Sequence, residues 1–393
     1  MSKMQPILIS GARVYAEEGV LEGGYVLVRD GRIAVASAER PEGLPKEVKE
    51  IDGSSLNVLP GFIDSHIHGA DGADVMDATE AALDSMARFL PAEGTTSFLA
   101  TTITQSHESI GNALENVAEY QNKSGQAEVL GVHLEGPFVE KKRAGAQPEA
   151  YITEPDAALF SKWQRMAGGL IKVITMAPEH DADGAFIREL TESGVVVSAG
   201  HTDTGFAGVE EAAAHGVSQV THLCNAMPGI HHRDVGVVGA AFLLDSLKAE
   251  LIADGIHVEK EMLRLIWRNI GPERLILITD SMRAKGLPPG DYELGGQPVR
   301  VTEDRAELAD GTLAGSILKM NEGARRMLGF DGVTMEDIVA MASANPARQL
   351  GVDDRKGGIR KGKDADLILV DDDLNVRLTL CRGDVAFEDE QVG

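Results

Sequence analysis

Val58-Leu-Pro-Gly-Phe-Ile-Asp-Ser-His-Ile-His68 reads as an apolar strand that runs directly into two histidines spaced by one residue. Side chains on an extended chain alternate, so His66 and His68 face the same way, and two imidazoles on one face can share one metal ion. Alone, His-x-His is more often a pair of hydrogen-bonded, partly buried histidines than a metal site. Here the pattern recurs. Further short apolar runs lie at Thr95–Thr101, Val129–Glu135, Ile171–Met176, Val195–His201, Gln219–His222, Glu250–Asp254 and Leu275–Asp280. Most are rich in Val, Ile and Leu without alternation, as expected of strands covered on both faces. Helical stretches lie between them, among them Thr79–Leu90, Ser106–Tyr120 and Glu259–Asn269. Eight βα units within residues 58–354 predict an α/β fold, a (β/α)8 TIM-type barrel. An open doubly wound sheet is the alternative, and no glycine fingerprint of the dinucleotide or P-loop kind supports it.

The two ends differ from this middle. Within residues 1–57, Tyr25–Arg29 and Arg32–Ala36 flank Asp30-Gly31, a pair suited to a type I′ hairpin turn. Within residues 355–393, Asp366–Val370 is a buried-strand run, and Val376–Leu380 alternates before an Arg382-Gly-Asp384 turn. Neither end alone carries enough apolar surface for a stable sandwich. Chain termini often lie close together, so the ends are expected to combine into one small β-sandwich domain beside the barrel.

Acidic residues number 62 against 37 basic ones, a net charge of -25, and 43% of the chain is hydrophobic. That leaves ample core and argues against disorder. The acid excess argues against a nucleic-acid or anionic-membrane partner, both of which need a basic face. It also means that an anionic substrate must be held by a local basic cluster. Cys224 and Cys381 cannot build a disulfide framework or a thiolate zinc site between them and read as reduced thiols. No apolar run approaches the ~20 residues of a membrane span. The opening Met1-Ser-Lys-Met-Gln-Pro6 lacks the apolar region of a signal peptide, so the expectation is a soluble cytoplasmic protein.

In a barrel the C-terminal strand ends converge on one mouth, where chemistry is placed. Strand one would bring His66 and His68 there, just after Asp64. Strand three would bring His133 and Glu135, strand five His201, strand six His222 and strand eight Asp280. Nitrogen and carboxylate donors together favour zinc or another first-row divalent ion over calcium or magnesium. Asp280 is the candidate proton carrier, able to take a proton from water and deliver it to a leaving nitrogen. Its alternative is to cap a following helix. His215, before Gly216, reads as a structural residue at a helix end, and His180 has no assignment. Basic and polar groups gather in the loops: Asn225 to Arg233 after strand six, His257 after strand seven, and Lys141-Lys-Arg143 after strand three. Arg233 suits a pair of phosphate oxygens and His257 can add a donor, which hints at an anionic substrate. Lys141-Lys-Arg143 alone reads as a solvated loop. Leu313-Ala-Gly-Ser316 is a small-residue turn where backbone can approach a ligand.

With these residues in place, the chain resembles the amidohydrolase superfamily, and within it the branch that deacetylates phosphorylated amino sugars. The resemblance spans nearly the whole chain and rests on Pro60–Gly69, Gly72–Asp77, His133–Phe138, Ser198–Thr202, Thr221–Met227, His231–Arg233, Val237–Ala241, Asp254–His257 and Leu313–Ser316. Asn345–Arg348 and Gly362–Leu367 are common to the wider superfamily. The His133-Leu-Glu-Gly-Pro and His231-His-Arg segments point to the deacetylase branch.

The resemblance implies hydrolysis of the acetamide of an N-acetylated hexosamine 6-phosphate, that of glucosamine first and of galactosamine as the alternative. Glu135, His201 and His222 match the principal metal ligands, and Asp280 the catalytic acid/base. Arg233 and His257 would hold the phosphate, with Asn225 and Ala226 assisting. Ala146, Gln147, Ala314, Gly315 and Ser316 would contact the sugar or its acetyl group. Some members have lost the His-x-His pair and use one metal; this chain keeps His66 and His68, so one or two ions are possible, zinc foremost, iron or another first-row metal otherwise. Gln147 stands where some single-metal members have a carbonyl-polarising histidine, which leaves open whether it or a second metal does that work. Members are commonly homodimers. The rivals are another amide hydrolase or a deaminase of the superfamily, and a non-catalytic scaffold. Many relatives carry a bridging modified lysine where this chain has Glu135, which counts against several of them; a scaffold would not be expected to keep every ligand position filled.

Overall fold

The computed structural model describes residues 4–389. Met1-Ser-Lys3, the start of the opening segment considered above, and the last four residues lie outside the described residues. Eight strands pair side by side in parallel and in chain order: Phe62–Ile67, Thr95–Thr102, Glu128–Glu135, Ile171–Met176, Val196–Ala199, Val217–Val220, Lys248–Ile252 and Leu275–Ile278. Apart from a few partly exposed positions near their starts, all are buried, and helices pack outside them around one large apolar cluster. This is the expected barrel.

The edge strands, first and eighth, meet through a seam. Asp280 N donates to His66 O at 2.8 Å, and His68 N donates to Ser281 O at 2.9 Å. Asp64 reinforces it, accepting from Thr279 Oγ1 at 2.5 Å and from Thr279 N at 3.2 Å.

Helix starts follow their capping residues. Thr79 accepts from Ala82 N and opens Glu80–Phe89; Ser106 accepts from Ser109 N and opens His107–Glu119.

Two details depart from the sequence reading. The first expected strand is split at Gly61: Asn57–Pro60 joins a different sheet, and Phe62–Ile67 joins the barrel. A Cβ at Gly61 would lie 2.2 Å from the Thr96 side chain, so only glycine lets the chain cross there. Strands five, six and eight also stop short of the residues expected to end them. His201, His222 and Asp280 have φ of 46°, 29° and 48°, left-handed values that no strand accommodates. No helix follows Asp280 directly; the next is Met320–Leu328, reached through a small antiparallel sheet, Gly290–Leu294, Gln297–Val301 and Ala306–Glu307. The helix-cap alternative for Asp280 is thereby removed.

The chain ends share one sheet. Its order runs Asp384–Glu388, Val376–Cys381, Leu367–Val370, Asn57–Pro60, Ile7–Ala16, Gly19–Arg29, Arg32–Ser37, with Lys49–Asp52 also beside Ile7–Ala16. The Asp30-Gly31 turn has both φ values positive, 48° and 77°, as a type I′ hairpin requires. Among the described residues no helix is long and apolar enough to cross a membrane.

The C-terminal segment is clamped to the barrel by Glu128, at the start of the third strand. Its carboxylate meets Arg355 Nη2 and Lys356 Nζ at 2.8 Å and Arg382 Nη1 at 3.2 Å. Burial raises this carboxyl, but the Arg355 hydrogen bond and the Lys356 charge outweigh it and bring it to about 2, against 4.5 for a free side chain. A carboxyl depressed on folding stabilises the native state above its unfolded value and loses that contribution as pH falls through its folded one. The clamp is therefore worth about 3 kcal/mol at neutral pH, decaying between pH ~4.5 and ~2. Glu128→Gln should lower the urea midpoint at pH 7 and weaken the pH dependence of stability across that acid window. An unchanged midpoint at pH 7 would remove Glu128 from this role.

Candidate metal centre and active site

Glu135 ends the third strand and stands, buried, at the centre of four imidazoles. Its Oε1 lies 3.2 Å from His201 Nε2, 3.2 Å from His222 Nε2 and 3.4 Å from His66 Nε2. Its Oε2 lies 3.3 Å from His68 Nε2 and accepts from Gln147 Nε2 at 2.7 Å. Asp280 Oδ1 completes the other side, 3.2 Å from His68 Nε2 and 3.5 Å from His66 Nε2. Side chains at or just beyond the ends of strands one, three, five, six and eight thus converge as two donor groups, Glu135/His201/His222 and His66/His68/Asp280; a third cluster, His66/His133/Glu250, shares His66 with them. Three of these residues are held at left-handed φ, the kind of local strain that clusters at functional sites.

The donor set suits a divalent ion. His222 Nε2 and His201 Nε2 face each other at 3.1 Å, and with Glu135 Oε1 they form a triangle of sides 3.1, 3.2 and 3.2 Å. A tetrahedral zinc with arms of about 2.0 Å has donor–donor edges of about 3.3 Å. His201 Nδ1 lies 2.8 Å from the Arg143 carbonyl, to which it donates, so Nε2 is left with its lone pair toward the triangle. His66 Nε2 is buried without a hydrogen-bond partner of its own.

The local field favours positive charge. Burial lowers His66, yet the charges of Glu250, Glu135 and Asp280 raise it well above the ordinary imidazole range. His68 is lowered by burial too, and hydrogen bonds to Asp280 and Glu135 carry it up to about 9. Burial raises Asp280, but the charge of His66 and the hydrogen bond from His68 hold it at about 2. His133 faces the other way: burial and the His66 charge lower it to about 4. It is neutral, with contacts from its ring nitrogens to Ser65 O at 3.0 Å and Thr175 Oγ1 at 2.7 Å beneath the donor groups.

A cavity of about 320 Å³ opens over Glu135, His68, His201, His222 and Asp280. Its wall includes Ala146, Gln147, Asn225, Ala226, His257 and Gly315. His257 is oriented by Asp254, with Nδ1 at 2.6 Å from Oδ2. Gln147 is fixed in both senses, since its Oε1 also accepts from Thr104 N at 2.8 Å.

Ala314, Ser316 and Arg233 lie off this wall. Ala314 is packed in an apolar cluster, and Ser316 donates to Thr279 O at 2.6 Å, a brace behind the seam. Arg233 is exposed at the tip of its loop, with Nη1 2.6 Å from His232 Nε2. Lys142 and Arg143 do line the cavity, and both pair with Asp203, at 3.4 and 2.9 Å. His180 sits between Glu140 and Glu154. His215 closes helix Phe206–His215. Glu250 was missed. It is a buried carboxylate 2.9 Å from His66 Nδ1, and the available signal was an acid inside the apolar run Ala249–Ala253.

A model of the amidohydrolase family matches residues 57–386. The chain belongs to the amidohydrolase family. Its similarity to the N-acetylglucosamine-6-phosphate deacetylase of Bacillus subtilis (strain 168) is 52% identity, over 98% of each chain. Among solved structures, the N-acetylglucosamine-6-phosphate deacetylase of Pasteurella multocida superposes with a TM-score of 0.90 at 30% identity, over 97% of this chain and 99% of that one. An aspartate-to-alanine mutant of the Mycobacterium smegmatis deacetylase, solved in complex with N-acetyl-D-glucosamine-6-phosphate, gives 0.89 at 29% identity over 97% and 99%. The amidohydrolase family is generally metal-dependent, in keeping with the donor groups here.

Binding an ion to the folded chain alone should stabilise it. Zinc(II) at about 100 times its dissociation constant should add about 2.7 kcal/mol to unfolding. Glu135→Gln should lose most of that increment. A Glu135→Gln protein whose melting curve responds to zinc as the wild type does would place the ion elsewhere.

Proposed function

We propose that this enzyme hydrolyses the acetamide of N-acetyl-D-glucosamine 6-phosphate, releasing acetate and D-glucosamine 6-phosphate. The observation that carries the reading is the convergence of Glu135, His68, His201, His222 and Asp280 in one cavity that also holds His257, in a chain alike from end to end to a deacetylase of that name. Glu135, His201 and His222 hold one divalent ion, zinc by the chemistry of the donors, and His66, His68 and Asp280 are arranged for a second. Such an ion supplies Lewis acidity and a water of lowered pKa.

The chain's own groups do the rest. Asp280, ionised at neutral pH, accepts the proton of the attacking water and then delivers it to the departing nitrogen, which leaves as an amine. Gln147 has one N–H beyond its bond to Glu135, on a residue of the cavity wall, and this donates to the acetamide oxygen. His257, held by Asp254, donates to the phosphate, and Arg233 adds a guanidinium from its loop. Anchoring the phosphate far from the carbonyl positions the amide for attack. Exposed Ile230 on the Arg233 loop, and Leu243 at the end of the helix that follows, support a homodimer. The phosphorylated substrate and two free thiols support a cytoplasmic setting.

An acetate-release assay across phosphorylated and plain N-acetyl sugars tests the assignment directly; equal turnover of both would overturn it. Asp280→Asn should retain an ion at Glu135/His201/His222 yet lower kcat by about 10²-fold or more. Near-normal turnover would exclude Asp280 as the proton carrier. His257→Ala and Arg233→Ala should each raise KM for the phosphorylated sugar and scarcely alter hydrolysis of a neutral N-acetyl sugar. Equal losses on both substrates would show that these residues do not read phosphate.

A further inference from the structure

Glu250 lies in the middle of the seventh strand, fully buried, beneath the donor groups and outside the cavity wall. Its Oε2 sits 2.9 Å from His66 Nδ1 and 3.3 Å from the backbone N of His222. Its Oε1 accepts from Gln219 Nε2 at 2.7 Å. A buried carboxylate is costly unless its lone pairs are met, and three donors meet them here. Two of the three belong to residues of different donor groups, His66 in one and His222 in the other.

We propose that Glu250 is a positioning residue that fixes the tautomer of His66 and ties the two donor groups to one another. A carboxylate has no hydrogen to give, so the proton of the contact belongs to His66 Nδ1. With an ion bound, the opposite nitrogen, Nε2, would turn its lone pair to that ion on the side of Glu135 and Asp280, where it has no hydrogen-bond partner of its own. The negative charge behind the ring makes that lone pair a stronger donor, and the fixed ring plane aims it. Gln219 in turn holds the carboxylate in orientation from the neighbouring strand. His133 lies 3.9 Å from Oε1, and its own Nδ1 contact is with Ser65 O at 3.0 Å, so it is a bystander to this arrangement. On the His222 side the link is to the main chain alone. It helps hold a backbone at φ 29° and leaves the imidazole free.

The inference rests on the metal-site reading of the donor groups, and the test separates the two. Zinc binding to the wild type and to Glu250→Gln is measured by competition with a chromophoric chelator, with cobalt(II) absorption as a report on ligand geometry. The near-isosteric amide should weaken binding on the His66/His68/Asp280 side by about 10- to 100-fold, and on the Glu135/His201/His222 side by less. The cobalt spectrum should change with it, while far-UV circular dichroism stays that of the wild type. A wild type that takes up no zinc overturns the metal-site reading and this inference together. A wild type that binds zinc, with Glu250→Gln matching it in affinity and cobalt spectrum, overturns only the role of Glu250. A second measurement needs no change at position 250. In the zinc-loaded wild type, nitrogen-15 NMR should find the ring proton of His66 on Nδ1 and in slow exchange, assigned by its loss in His66→Asn. A His66 ring without a proton on Nδ1 would equally overturn the assignment.

Discussion

Asp64 is a carboxylate without solvent contact, and it accepts hydrogen bonds across the line where the first and eighth barrel strands meet. Asp280 and His66 are far apart in sequence and become neighbours only because that line closes. Directly above Asp64, the backbone N of Asp280 donates to the carbonyl of His66, which places the acid over the His-x-His pair. The same short stretch is held from behind by Ser316, whose hydroxyl donates to Thr279 O and whose backbone N donates to Asp280 O. Asp280 is therefore braced on both flanks by main-chain bonds. Its left-handed backbone persists because its surroundings over-determine it.

Electrostatics divides the molecule into two regimes. Over the surface a net charge of -25 keeps anions at a distance. At the mouth, buried carboxylates surround imidazoles and make the centre a place for positive charge. A phosphorylated substrate needs more than that centre, because Lys142 and Arg143 on the wall are already matched by Asp203. The side chains near the mouth that Asp203 leaves unmatched are His257 and, on its loop, Arg233. This is the local concentration that so acidic a chain requires.

The barrel was legible because its signal is redundant. Apolar runs without alternation recur with helices between them, and an error at any one would not have changed the reading. The clustering of these side chains was legible for a related reason: each sits at or just beyond the end of an apolar run, so chemistry and secondary structure point to the same residue. Boundaries were less so. Nothing in Val58–Asp64 announces that Gly61 hands the chain from one sheet to the other, because that depends on Thr96 pressing against it. Strand ends at His201, His222 and Asp280 were placed late, since a left-handed turn at a non-glycine residue has no local sequence cue. Glu250 was hidden because it is buried inside an apolar run, off the wall of the cavity, and belongs to no short motif. The position of Arg233 on an exposed loop tip is a tertiary fact that its residue type could not convey.

The sheet built from both ends has a bearing on how the polypeptide is made. Asn57–Pro60 pairs with Leu367–Val370, so this edge leaves the ribosome about 300 residues before its partner strand exists. At ordinary elongation rates the wait is on the order of 15–60 s. Over that interval the nascent chain carries an apolar strand that can pair with Ile7–Ala16 on one side but is open on the other, and an open edge is a template for wrong association. The barrel can wind up during the wait, since its strands join in the order in which they are synthesised. Docking of Leu367–Val370, with Val376–Cys381 beside it, then seals that edge after the barrel strands have been made.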